Sequence, residues 1–455
     1  MNALIVLTAL GLIGLFSEIF NFRKLLLPIV YAGLALAAVL AICDWNTNIS
    51  YYNNMMLFDN FALAFTSLLI IISFFWFTIS PGFFREPTSK SDHISLIIFT
   101  LIGAVTMVSY SNLIMLFLGL EILSISMYIL AGSNKSELSS NEAALKYFLM
   151  GAFATGFLLF GIALIYGSTG SFNINEIANA IKKTSDHTVM LYAGILLVMS
   201  SLAFKVSAVP FHFWAPDVYQ GSPTVITAYM STVVKTAAFA AFLRLFMTSF
   251  KEVETLWSSS LWVISAATII IGNITAVFQT NVKRMLAYSS ISHAGYMILA
   301  ILAMNGSSAG SLFYYTAAYS VSSIASFAVL LIVNKKMGSE SIESFYGLGK
   351  RNPLLAAVTV IAMLSLAGIP PTAGFFAKYY IFSAAIQNNL TGLVLIAVVG
   401  SLIGVFYYFR IIIALFREKD APKLEIDKSY KTVLLIFAIV VLLLGIFPGF
   451  FAGLV

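Results

Sequence analysis

Charge is what this sequence has least of. Asp, Glu, Lys and Arg make up 10% of its 455 residues and hydrophobic residues 60%. A soluble domain carries about 25% charged residues, so a soluble globular fold is excluded. Cysteine is nearly absent: Cys43 stands alone, which excludes a disulfide framework, a thiolate zinc site and protein-ligated iron–sulfur clusters. The 4 histidines have no close spacing, which argues against a haem-rich electron carrier. The sequence also lacks a glycine-rich phosphate loop, paired catalytic carboxylates and a metal-ligand cluster. By itself the chain carries no means of redox or hydrolytic chemistry. Its start, MNALIVLTALGLIGLFSEIF, lacks a basic leader and a small-residue cleavage site before Glu18, so it is expected to be the first membrane helix and not a cleaved signal.

Apolar runs long enough to cross about 30 Å of hydrocarbon recur along the whole sequence. They predict an all-α polytopic membrane protein of about fourteen transmembrane helices. The expected organisation is three N-terminal helices over 1–92, five helices over 93–248, five more over 258–417, and a loop with a last helix (430–453) over 418–455. Each five-helix group carries a proline-containing break in its fourth helix: SAVPFHFWAP (207–216) and LAGIPPTAGFF (366–376). An odd number of helices per group inverts the second against the first. Inverted repeats with broken helices at matching places mark ion or substrate paths.

The net charge of +6 does not indicate nucleic-acid binding. Most basic residues fall in the loops on one side, among them Arg23, Arg85, Lys283, Arg284, Lys350, Arg351 and Lys419, whereas the other side holds Lys182, Lys183 and Lys251. That bias makes the first side cytoplasmic and places both termini opposite. Arg244 and Arg410, near helix ends, are expected to snorkel to the interface, and Asp217 to serve a structural role near the surface.

The charges left within the spans are the informative ones. Glu121 is the one acidic residue at the centre of an expected span, where an unpaired charge costs about 2.5–3.5 kcal/mol on insertion scales. Lys235 lies eleven or twelve residues from either end of its span, too deep to snorkel. Lys205 precedes the first break and Lys378 follows the second. Lys146 sits five residues into its helix, where snorkelling competes with a buried role. Desolvation loosens an ammonium's hold on its proton and a nearby carboxylate restores it. A carboxylate acting on buried lysines can therefore drive proton release. His212 follows the first break. Met285, Ser289 and His293 share a helical face at i, i+4 and i+8, with Tyr288 and Ser292 beside them. Such groups can relay protons, or they can be hydrogen-bonding glue between helices.

Four long stretches in order, EAALKYFLMGAF (142–153), AFKVSAVPFHFWAPDVYQGSPT (203–224), VKRMLAYSSISHAGY (282–296) and LAGIPPTAGFFAKYYIF (366–382), resemble the antiporter-like membrane subunits of respiratory complex I, the NADH–quinone oxidoreductases. The resemblance covers nearly the whole chain. It implies fourteen helices, two inverted five-helix units, and proton translocation driven by NADH oxidation in other subunits. By position, Glu121 matches the family's helix-five glutamate, Lys205 its partner lysine, Lys235 the connecting lysine and Lys378 the exit-side lysine. Lys146, His212, Tyr288 and His293 lie in matching motifs. The resemblance implies no cofactor in this chain, but NAD(H), flavin, iron–sulfur clusters and quinone in partner subunits. It also implies homologous membrane subunits as neighbours and a bacterial inner-membrane location. A cation/proton antiporter subunit of the Mrp type would share the same fold, and a structural scaffold could share the same polar residues.

Overall fold

The computed structural model describes residues 1–84, 90–183, 188–418 and 423–449. Arg85, Lys419 and the end of the last expected helix lie outside the described residues.

The chain is almost wholly helical. In order it runs α1 (Asn2–Ile19), α2 (Leu26–Cys43), β1 (Ile49–Tyr51), β2 (Met56–Phe58), α3 (Asn60–Ile79), α4 (Lys90–Ser109), α5 (Leu113–Ala131), α6 (Leu138–Thr169), α7 (Ile174–Lys183) and α8 (Val189–Lys205). It continues through α9 (Trp214–Gly221), α10 (Thr224–Tyr229), α11 (Lys235–Thr248), α12 (Glu254–Val277), α13 (Val282–Ala303), α14 (Ser308–Met337), α15 (Leu348–Arg351), α16 (Pro353–Ala367), α17 (Ala373–Gln387), α18 (Thr391–Phe416) and α19 (Lys428–Ile446). Among the described residues, 11 helices are long and apolar enough to cross a membrane. The shorter apolar helices α8 and α16 and the run Tyr430–Ile446 complete the expected set, and the fold is that of a polytopic membrane protein. Side-chain caps fix several starts: Asp59 accepts from the Ala62 amide, Asn112 from Ile114, Thr188 from Leu191 and Asn281 from Arg284.

Both breaks are present. Between α8 and α9 the backbone turns through Ser207 at φ 63°, and between α16 and α17 through Gly368 at φ 84°. Each break contains a cis X-Pro bond, Val209–Pro210 and Pro370–Pro371.

Some elements were not expected. A two-stranded hairpin, β1–β2, stands between α2 and α3. A short amphipathic helix, α7, buries Ile174, Ile177 and Ile181. The turn Met230–Val234 is π-helical and delivers the chain into α11 at Lys235.

The chain forms two compact units. The first combines Met1–Ser207 with Val233–Leu261, and the second combines Ala208–Thr232 with the chain from Trp262 onward. In the first unit, α4 and α5 meet at Gly103 and Gly119, where a Cβ on Gly103 would lie 2.6 Å from the Gly119 carbonyl oxygen. In membranes such close backbone approach replaces the hydrophobic drive between helices. Apolar residues such as Phe153 (72% exposed) and Ile125 (52%) remain on the outside, as hydrocarbon contact requires.

Candidate functional site

The first unit builds a polar cluster from two facing stripes. On α5, Glu121, Ser124 and Tyr128 follow one another at i, i+3 and i+7. On α6, Tyr147, Gly151 and Thr155 follow at i, i+4 and i+8. Both spacings keep residues on one helical face. Thr155 donates its hydroxyl to Glu121 Oε1 at 2.8 Å. Lys205, in the last turn of α8, donates from Nζ to Ser124 Oγ at 2.7 Å and lies over the Tyr147 ring at 5.7 Å. Ser124 donates its own hydroxyl to the Leu120 carbonyl at 2.6 Å. Tyr128 packs edge-on to Tyr147, 4.7 Å between centroids. Lys205 is buried (4% exposed) and Glu121 half-buried. The ammonium of Lys205 meets Ser124 and the carboxylate of Glu121 meets Thr155, so the two charges share one polar cluster on facing stripes.

Lys146 stands apart from the α6 stripe. It lies one residue off the Tyr147–Gly151–Thr155 stripe, and one residue is about 100° of helical rotation. Its ammonium pairs instead with Glu142 at 2.7 Å, one turn earlier on the same helix, and its side chain is 41% exposed. Lys235 is buried (2% exposed) at the start of α11, directly after the π-helical turn. Such turns are rare and frequent at functional sites.

The second unit joins hydroxyls and an imidazole. Tyr408 on α18 hydrogen-bonds Ser289 Oγ at 2.5 Å and His293 Nε2 at 3.1 Å. His293 Nδ1 meets the Tyr315 hydroxyl of α14 at 2.6 Å. Each of these groups can both give and take a proton, and the imidazole can exchange its tautomers. Ser289 and His293, one turn apart on α13, are thus bridged by a tyrosine from another helix. Tyr288, one residue off that face, turns toward Arg284, whose guanidinium lies 5.8 Å from its ring centre.

Lys378, on the second half-helix, reaches back across its break. It donates to the Ala367 carbonyl at 2.6 Å and to Ser401 Oγ at 2.7 Å, over the Tyr296 ring at 5.3 Å. Gly368 leaves room for it: a Cβ there would stand 2.8 Å from Lys378 Cδ. A small cavity lined by His293, Tyr315, Tyr319, Ser322, Ser365 and Ala377 lies beside this lysine's helix. His212, just before α9, is buried (6% exposed), and its Nδ1 has no hydrogen-bond partner among the described residues.

Two arginines find fixed partners at helix ends. Arg244 is buried, pairs with Asp59 at the N-terminus of α3, and lies 4.9 Å from the Phe61 ring centre. Arg410 donates to the Val277 and Gln279 carbonyls at 2.7 and 2.6 Å, capping the C-terminal end of α12.

Sequence reasoning missed Ser124, Tyr128, Tyr147 and Thr155 in the first unit, and Tyr315, Tyr408 and Ser401 in the second. Periodicity alone could have found the α5 and α6 stripes. The partners on α14 and α18 lie 22 and 115 residues from His293, beyond any local signal.

Buried lysines beside two broken helices, joined to hydroxyl, imidazole and carboxyl groups, define a membrane subunit of the antiporter-like class. Comparison with known proteins agrees. The family described as "NADH:quinone oxidoreductase/Mrp antiporter, TM" matches residues 110–404. The chain is 46% identical over 452 residues to NADH-quinone oxidoreductase subunit N of Cytophaga hutchinsonii, covering 98% of both. It is 46% identical over 453 residues to subunit N of Flavobacterium psychrophilum, covering 99% of both. Among solved structures it resembles a chain of respiratory complex I from Thermus thermophilus, with TM-score 0.85, 31% identity, and 99% and 98% coverage. A chain of the Mrp complex from a Dietzia species superposes with TM-score 0.88 at 19% identity, covering 99% of this chain and 95% of that one, a likeness of fold. The chain belongs to the NADH:quinone oxidoreductase/Mrp antiporter family and, within it, to the subunit N members of NADH-quinone oxidoreductase.

Proposed function

We propose that this chain translocates protons as a non-redox membrane subunit of an NADH–quinone oxidoreductase, in a bacterial inner membrane, beside homologous membrane subunits. Glu121, Lys205 and Lys235 in the first unit and His293 and Lys378 in the second take up and release the protons. NAD(H), flavin, iron–sulfur clusters and quinone act in the partner subunits, whose redox chemistry supplies the energy. His212 serves as an auxiliary proton group at the first break. Lys146 and Tyr288 hold electrostatic places at the edges of the two clusters.

The observation that carries this reading is the Ser289–Tyr408–His293–Tyr315 chain, a continuous run of proton-exchanging groups in an apolar interior. A scaffold needs hydrogen bonds but no unbroken chain of groups that both donate and accept. The Mrp alternative shares the fold and the family model, whereas subunit N relatives match at 46% identity over 98% of the chain.

Lys235 tests the reading. Lys235→Ala should abolish most proton translocation and coupled NADH oxidation in membrane vesicles while leaving the complex assembled. Lys235→Arg should restore little, because a guanidinium does not release its proton. Full translocation in the Arg variant would leave only a charge role and remove the proton-carrier role.

A further inference from the structure

The motifs WAPDVYQGSPT and VKRML contain charged and polar residues that the proton clusters do not use. The second unit brings them together. The Lys283 ammonium donates to the Ser222 carbonyl at 2.6 Å and the Gln220 carbonyl at 3.1 Å, and lies 3.4 Å from Glu340 Oε1. Arg284 donates to Asp217 Oδ1 at 2.9 Å and Gln220 Oε1 at 2.8 Å. Glu340 gathers the rest. It accepts from Thr224 Oγ1 at 2.9 Å, Asn334 Nδ2 at 3.2 Å and Asn281 Nδ2 at 3.4 Å, and its own carbonyl accepts from the Val282 amide at 2.8 Å. The Lys283 and Glu340 side chains are 4% and 14% exposed. These are not the solvated loop charges that the orientation argument alone required.

The two cations act on one small element. α9 is a helix of 8 residues, too short to hold itself. Its N-terminal end follows the break and His212. At its C-terminal end the free carbonyls form the negative pole of the helix, and a lysine there is favoured. Lys283 meets those carbonyls while Arg284 grips the side chains of Asp217 and Gln220. Both cations belong to the first turn of α13, the helix that carries Ser289 and His293.

We propose that Lys283, Arg284, Asp217 and Glu340 form a positioning clamp that fixes the half-helix α9, and with it His212, in register against α13. The clamp does not carry protons. Its place in function rests on the proton-translocation reading, because a displaced α9 moves the polar groups of the break away from α13.

The test uses the whole complex in membranes, with variants Lys283→Met, Lys283→Arg, Asp217→Asn and Glu340→Gln. The readouts are hydrogen exchange of the 212–224 segment by mass spectrometry, and protons translocated per NADH oxidised in equal amounts of assembled complex. Lys283→Met should raise exchange in 212–224 while α4–α6 keep their protection, and should lower the proton ratio. Lys283→Arg, which can still reach the carbonyls, should restore both. Asp217→Asn and Glu340→Gln should fall between, which keeps the test open if Lys283→Met fails to assemble. Unchanged exchange in 212–224 across the series would overturn the clamp. Raised exchange with an unchanged proton ratio would overturn its role in translocation. Failure of the underlying reading would appear separately, as normal translocation in Lys235→Ala, and the exchange measurement decides the clamp in either case.

Discussion

At the scale of single residues, direction on a helix decides which charges work. Lys146 and Tyr147 are neighbours in sequence, yet Tyr147 faces Lys205 while Lys146 pairs with Glu142 on a partly exposed face. An i, i+4 pair of this kind contributes about 0.3–0.5 kcal/mol. Lys146→Ala should therefore leave proton translocation near normal in vesicle assays, whereas Lys205→Ala should abolish most of it. Gly151 makes a sharper case. A Cβ there would stand 2.0 Å from the Tyr128 hydroxyl. Gly151→Ala should destabilise the first unit by about 1–3 kcal/mol through overpacking, read as a lower yield of assembled complex. Adding Tyr128→Phe removes the hydroxyl and should recover part of that yield. The sequence made Glu121, Lys205, Lys235 and Lys378 legible because a charge inside an apolar run has no cheap explanation. It did not disclose that Ser124 accepts from Lys205, because a serine in a membrane helix is unremarkable until its partner is in place.

At the scale of elements, the breaks matter more than the spans. Helix positions were readable from hydropathy, and so were the breaks, because proline removes a donor and clashes with the preceding turn. The π-helical turn before Lys235 was not readable, since no residue in Met230–Val234 enforces it. The same holds for the arginines. Hydropathy places Arg244 and Arg410 near helix ends, but their acceptors, Asp59 and the Val277 carbonyl, lie 185 and 133 residues away. Gly368 links a break to a lysine. Its φ of 84° costs an L-residue about 1–2 kcal/mol, and a Cβ would also push Lys378 from the Ala367 carbonyl. Gly368→Ala should thus impair translocation more than it impairs assembly. Gly170→Ala is the control: φ is 73° there too, but nothing lies within 4 Å of the added Cβ. It should carry the backbone cost alone and leave protons per NADH unchanged. Equal effects from the two changes would place the penalty in the backbone and not in the lysine.

At the scale of the whole molecule, the composition excluded a soluble protein before any element was located. The family followed from four motifs in order, and relatives identical at 46% over the full length agree. Hydropathy could not reveal that Ala208–Thr232 belongs to the second compact unit and Val233–Leu261 to the first, because membership depends on which helices pack together. The loop charge bias predicts both termini on the non-cytoplasmic side, and a reporter active only in the cytoplasm should be silent when fused after Val455. In the proposed function, a carboxylate in the first unit governs proton release by the lysine of its cluster. The most direct measurement is proton translocation per NADH oxidised in vesicles carrying Glu121→Gln, with assembly of the complex verified on the same membranes. Gln keeps the shape and can still accept from Thr155, so only the charge is lost. Glu121→Gln should leave an assembled complex that translocates few protons, with Glu121→Asp retaining part of the function. Normal translocation by an intact Glu121→Gln complex would contradict it.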